Sequence, residues 1–318
     1  PTPAPHPALR RMRWLASSAR VLVWFILSVW LLFAASWGLL HGWIVPRIGE
    51  FRPRLEMEAT KALGVPVRIG QITARSEGLI PSFELRDVVL LDPQGREALR
   101  LPRLLAALSP TSLWGKGFEQ LHIDQPELDI RRTADGKIYV GGLDVSQNRA
   151  DNHEAVDWTF SQTELSIKGG TIRWTDELRR APPLALGQVD AVLRNSRRSH
   201  NMRVDATPPP EWGERFSVRG IFRQPLLSRN PGDWNEWSGQ LFAEFSRVDV
   251  SRVKEYVGLE GVGMDLQAGS GSLRAWADVE GGRLVGGTFD VALTDVDVRL
   301  GRALQPLAFE SVTGRFGG

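Results

Sequence analysis

From Val21 to Leu40 the chain reads VLVWFILSVWLLFAASWGLL, twenty residues without a charge. A helix rises about 1.5 Å per residue, so this run spans the roughly 30 Å hydrocarbon core of a bilayer. The run stays uncharged through Pro46, and Trp14 and Trp43 stand near its two ends, where indoles favour the membrane interface. Val21, Trp24, Trp30, Trp37 and Leu40 are taken as anchor residues. A cleaved leader has an apolar core of only about 7–15 residues that ends at its cleavage site. This run continues past Ala34-Ala35-Ser36, so it reads as an uncleaved anchor. Arg10, Arg11, Arg13 and Arg20 precede the span and only Arg47 follows closely. The positive-inside bias therefore keeps the first residues in the cytoplasm and exports the rest.

Ile48 to Leu63 has the period of a helix: Ile48, Phe51, Leu55, Ala59 and Leu63 recur at spacings of three and four. Gly64 and Pro66 stop it. After Pro66 the period changes to two, and strands are expected near 66–74, 82–91, 119–124, 127–133, 137–141, 163–168, 171–176, 187–194, 201–206, 215–223, 239–246, 271–280, 284–293 and 295–300. Another strand is apparent at Glu310 to Phe316, and a second short helix at Val250 to Val257. The 32 glycines and 20 prolines punctuate a meander. The fold class is mainly β.

Three turns allow register to be argued. A two-residue turn at Gly169-Gly170 sets Ile167 opposite Ile172 and Leu165 opposite Trp174. Around Gly281-Gly282, Val279 meets Leu284, and one extra residue at Gly286-Gly287 then brings Ala275 to Phe289 and Leu273 to Val291, a β-bulge. A loop at Ala134-Asp135-Gly136 places Ile130 opposite Val140. Ten of these residues, all but Val279 and Leu284, are taken as the lining of one apolar face. A second sheet, closure into a barrel, or lipid in an open trough would each cover it, and alternation does not choose among them.

Chemistry is hard to find. With no cysteine there is no disulfide, thiolate ligand or thiol nucleophile. His6, His41, His122, His153 and His200 are scattered without metal-ligand spacing, and no catalytic or cofactor motif occurs. Gly261-Val-Gly263 and Gly269-Ser-Gly271 read as turn glycines. No catalytic residue, metal or cofactor is expected, and the chain is not read as an enzyme. The first fifty residues hold five arginines and one acid, leaving 34 basic against 36 acidic residues in the body. Such a body has no concentrated basic face for nucleic acid. The tryptophans of the body read as strand-face packing.

Two stretches carry a resemblance. The first includes Leu85-Arg-Asp-Val-Val-Leu90, Asp92-Pro-Gln-Gly95, Leu108-Ser-Pro-Thr-Ser-Leu113 and Pro126-Glu-Leu-Asp-Ile-Arg131, and it resembles the opening repeat of AsmA-like envelope proteins. The second includes Gly170-Thr-Ile-Arg-Trp-Thr-Asp-Glu-Leu-Arg179, Ala181-Pro-Pro-Leu184, Pro209-Pro-Glu-Trp-Gly213 and Trp237-Ser-Gly239, and it is similar to the YhdP branch of that family. The resemblance implies a bacterial inner-membrane protein with a periplasmic body, an elongated antiparallel sheet forming a groove, and phospholipid acyl chains as cargo. It also implies a chain far longer than this one, in keeping with a start at Pro1 and a strand that reaches the last residues. The expected organisation is a disordered tail over 1–18, a transmembrane helix over 19–45, a helix and first β repeat over 46–150, and a continuing groove over 151–318. An anchored β-sandwich scaffold without lipid is the rival reading, and a glycan-cleaving enzyme a more distant one.

Overall fold

A computed structural model describes residues 7–39, 42, 45–75, 82–91, 95, 97–107, 118–141, 143–144, 150–228, 230–253, 265–299 and 305–317. Leu40, Trp43, the Asp92-Pro-Gln and Leu108–Leu113 motifs, Gly261–Gly263 and the end of the expected helix at 254–257 lie outside them. The chain forms two units, divided between Glu50 and Phe51.

The first unit carries helix α1, Pro7–Leu39. It begins inside the segment expected to be disordered. The sequence PALRRMRWLA has no glycine, and no proline after its first residue, so helical hydrogen bonding extends back from the apolar run. Over Arg20–Leu39 the helix is long and apolar enough to cross a membrane.

The expected helix at 48–63 divides into a 3-10 helix, Val45–Phe51, and α2, Arg52–Leu63. Pro53 sits in the first turn of α2, where its missing N–H costs nothing. Gly64 ends the helix in the left-handed conformation, at φ 68°.

Fifteen strands among the described residues form one sheet. They are β1 Val67–Arg75, β2 Ser82–Leu91, β3 Glu97–Ala107, β4 Gln120–Asp124, β5 Glu127–Arg132, β6 Ile138–Val140, β7 Leu143–Asp144, β8 Glu164–Asp176, β9 Leu184–Asn195, β10 Ser199–Thr207, β11 Phe216–Arg223, β12 Ser238–Asp249, β13 Asp265–Glu280, β14 Arg283–Arg299 and β15 Leu307–Gly317. Strands β1 to β3 lead into β4 and β5, two halves of one bent strand; β8 follows, then β9 to β15 in chain order. The β6–β7 hairpin continues beside β5 on the β3 side.

Gly169-Gly170 is not a hairpin. Strand β8 runs straight through it, parallel to β4 on one side of the glycines and to β5 on the other. The remaining pairings are antiparallel, so this is the one departure from the expected meander among the described residues. A parallel neighbour needs a crossover, and it is supplied by α3, Ala150–Ser161, a helix the sequence reading did not expect. The other two registers agree. Ile130 pairs with Val140. Val279 pairs with Leu284, Ala275 with Phe289 and Leu273 with Val291, with the extra residue at Val285 and not at Gly286-Gly287, which pair with Asp278 and Ala277. The strands expected at 284–293 and 295–300 are one strand, β14, kinked where Asp295 takes φ 53°.

That kink belongs to a line of kinks. Asp87, Gln125 and Gln188 have φ of 50°, 51° and 46°, and Gly169 has 64°. Asp87 lies opposite Gly70 and Pro102, Gln125 beside Gly169, and Gly169 beside Asp190. A left-handed residue reverses the side-chain alternation of its strand, and because Asp87 lies one for one opposite Gly70 and Pro102, and Gln125 beside Gly169, neighbouring strands reverse together without a shift of register there. Thus Phe83 and Leu85 share a face with Val88 and Leu90, and on β14 Val291 and Leu293 share one with Val296 and Val298. Left-handed conformations cost a non-glycine residue about 1 kcal/mol or more, so the sheet imposes this crease on its strands.

The free edge of β1 is closed by α2. Glu56 Oε1 accepts the Ile69 N–H at 2.7 Å, and Thr60 Oγ1 accepts the Val67 N–H at 3.0 Å. Unpaired strand edges invite strand addition. Replacing both residues with alanine is expected to cost about 1–2 kcal/mol and to speed amide exchange at Val67 and Ile69. Exchange unchanged at those two amides would show that the helix does not cap the edge.

Candidate functional site

Directly opposed side chains lie on the same face of a sheet, so the registers trace lateral rows. One row starts at Ile72 and runs Leu85, Leu104, Ile123, Ile167, Ala191, Val204, Val218, Ala243, Ala275, Phe289 and Phe316, each residue paired with the next. It crosses the sheet without a polar residue. Strands lie about 4.8 Å apart, so the row is roughly 50 Å long. Beside it runs a second row: Phe83, Ala106, Leu121, Leu165, Leu193, Met202, Gly220, Leu241, Ala277 and Gly287.

The two rows are not covered alike. Ile72, Ala106 and Leu121 are buried. Leu85, Leu104, Ile123, Ile167, Ala191, Val204, Val218, Ala243 and Ala275 are only half-buried, and Phe289 and Phe316 are exposed. All described strands belong to one sheet, so no separate second sheet among the described residues lies over this face. Between β9 and β13 the floor is made of small residues: Ala191, Val204, Val218, Ala243 and Ala275 with Gly220 and Ala277. Phe216 stacked on Phe245 at 5.1 Å borders it on the crease side.

Protein closes this face locally. Near the β8–β12 strand ends, Phe160 of α3 meets Trp237 edge-on at 4.7 Å, and Trp237 stacks on His200 at 4.2 Å. The α3 helix is fastened there by Asp157 Oδ1, which accepts the Gly232 N–H at 2.8 Å. Helices α2 and α3 touch each other, and α2 packs on β1, where Val67 and Ile69 are buried.

The other face is ionic. Arg274 Nε donates to Glu244 Oε1 at 3.0 Å, Arg315 Nη2 to Asp290 Oδ2 at 2.7 Å, and Arg215 Nη2 to Asp190 Oδ2 at 2.7 Å. The Arg315 guanidinium holds the Asp290 carboxyl below its ordinary range. Another outer-face chain links Ser166 Oγ, His122 Nδ1 at 2.6 Å, then His122 Nε2 and Asp124 Oδ1 at 2.8 Å, with Arg103 beyond. It has the order of a nucleophile, base and orienter. Here, however, Ser166 and His122 are register partners on adjacent parallel strands, and the contact ties β4 to β8.

The ten residues named from sequence fall on the inner face as follows. Ile167, Ala275 and Phe289 stand in the long row, and Leu165 stands in the second. Leu273 and Val291 pair one step towards the crease. Beyond the crease, Ile172 pairs with Leu128 and Leu186, and Trp174 with Ile130 and Leu184. Val140 faces Ile130 from β6. The hairpin contacts expected between Ile167 and Ile172 and between Leu165 and Trp174 do not form, because all four lie along one strand. Missed from sequence were Leu104 and Ala106, on a strand that Pro102 disguised, and the small residues of β9 to β12. Of the anchor residues, Val21, Trp24, Trp30 and Trp37 are exposed along α1.

An apolar helix that fits a single-pass membrane anchor, followed by one large sheet with an apolar face and an ion-paired face, is the class of protein these elements define. Residues 12–317 match the model of the YhdP protein family, and the chain belongs to that family, among envelope proteins of the AsmA-like type. No curated protein and no solved structure matches it.

Proposed function

We propose that the inner face is a path for phospholipid acyl chains, held by a protein anchored in the inner membrane with its body in the periplasm. The observation that supports this reading is the unbroken apolar row from Ile72 to Phe316, left half-open along most of its length. Hydrocarbon laid on it gains about 25 cal/mol per Å² removed from water. Movement along such a surface needs no acid, base, metal or cofactor, so the reading assigns no enzymatic step to this chain. The four arginines before the span support a cytoplasmic start. Delivery towards the outer membrane, and any envelope protein that assists it, would belong to the assembled transport system.

The test is photo-crosslinking in living cells, with a photoreactive residue at position 204, 243 or 172. Positions 203, 244 and 173, on the ionic face, serve as controls. Phospholipid adducts are expected at the inner positions and not at the outer ones. Protein adducts alone at the inner positions would replace this reading with the scaffold.

A further inference from the structure

Three connections meet at one end of the strands β9 to β14. Gln224, after β11, is fixed to the β9–β10 turn: its N–H donates to Arg198 O at 3.0 Å, and Arg198 Nε donates to Gln224 O at 3.2 Å. The β13–β14 turn is fixed to the far side of the same β11–β12 connection, because the Gly282 N–H donates to Trp237 O at 2.9 Å. The three loops therefore form one rim.

That rim carries apolar side chains turned to water. Leu226 is 77% exposed, Leu227 92%, Trp234 57% and Leu284 72%. Leu226 and Leu227 follow Pro225 in a turn, so they project and do not line a cleft. Arg197, Arg198, Arg223 and Arg283 are exposed on the same rim, with Asp233, Glu236 and Glu280 as opposing charges.

We propose that this rim docks on an anionic lipid bilayer, with Leu226 and Leu227 entering the boundary between headgroups and acyl chains. Projecting leucines suit a fluid surface that closes around them, whereas a protein partner would have to supply a fitted pocket. An exposed indole on the same rim, Trp234, is the side chain that favours the interface. Arginines around an apolar tip pair with lipid phosphates, and attraction to anionic leaflets adds to burial. The proposal does not rest on the acyl-chain path and stands or falls apart from it.

The chain has no cysteine, so Leu227→Cys takes an environment-sensitive fluorophore at one position. The full chain, held in nanodiscs of phosphatidylcholine, is mixed with vesicles of equal parts phosphatidylglycerol and phosphatidylcholine that carry a spin-labelled quenching lipid near the headgroup. Quenching and a blue shift are expected at position 227, and neither at Asn201→Cys on the outer face. Adding Leu226→Ser should weaken vesicle binding roughly tenfold, the loss of one buried leucine. Arg197→Gln with Arg198→Gln should weaken it further, and vesicles of phosphatidylcholine alone should bind less. An unquenched label at 227, or equal quenching at 201, would overturn the proposal. So would binding indifferent to phosphatidylglycerol, or a crosslink from 227 to an envelope protein without quenching. Inner-face crosslinks at 204 and 243 that survive these substitutions keep the two readings separate.

Discussion

Val218→Asp is expected to remove bound phospholipid from the purified protein while leaving the sheet folded. Val218 stands mid-row between Val204 and Ala243. It is half-buried, so water still reaches a carboxylate placed there, and stability falls by only about 1 kcal/mol. Hydrocarbon lying across the same position would have to strip that water. Desolvating an unpaired polar group costs roughly 2–7 kcal/mol, and a charged one more. Each 1.4 kcal/mol or so is tenfold in affinity, so lipid recovered by mass spectrometry should drop by at least about tenfold. Arg219→Asp places the same charge one residue away on the outer face and should leave the lipid content intact. Equal lipid recovery from Val218→Asp and the unaltered protein would mean that acyl chains do not cross β11.

How far the sequence already carried this site depends on what period-two alternation can express. It placed most strands, because Gly and Pro clusters bound them, and it set the β13–β14 register through a bulge that a two-residue turn required. It failed at Gly169-Gly170 for a physical reason. A glycine pair serves a hairpin and a bulge equally well, and the choice between them depends on what lies alongside. Here the neighbours are β4 and β5, about forty residues earlier in the chain, whose own kink at Gln125 matches the one at Gly169. Strand β3 was missed because RLPRLLAA shows no clean alternation. The crease reverses its parity at Pro102, so leucines on both sides of that point face inward. The crease itself was beyond reach, since Asp87, Gln125, Gln188 and Asp295 have nothing in common except position across the sheet. Helix α3 left a trace in Val156 and Phe160, spaced by one turn, within an otherwise polar segment.

Trp237→Ala is expected to cost about 3–5 kcal/mol, the range for emptying a large aromatic from a core. Trp237 is 4% exposed and touches three rings: Phe160 of α3, His200 of β10 and Phe222 of β11. Its removal takes away one of the two rings that Phe160 meets and leaves α3 the Phe160–His200 and Phe118–Trp158 contacts and the Asp157–Gly232 bond, so the loss should appear as faster amide exchange in α3 as well as a lower melting temperature. The ring beneath it adds a dependence on pH. His200 is 1% exposed, and its Nδ1 lies 2.8 Å from Asn195 Oδ1. Asn195 Nδ2 donates to Gln162 O at 2.8 Å, which fixes its amide and makes His200 Nδ1 the protonated nitrogen. Burial pushes the imidazole below its ordinary value of 6.5, opposed in part by the Gln224 contact. The folded state thus takes up its proton at lower pH than the unfolded chain does. Stability is full above about pH 6.5, falls as pH drops below that value, and levels off once the folded imidazole is itself protonated. His200→Gln should flatten this part of the stability profile, and Trp237→Ala should shrink it by admitting water to the ring. A profile of the same steepness in His200→Gln would assign the pH dependence to other groups and leave the stacked histidine a packing element only.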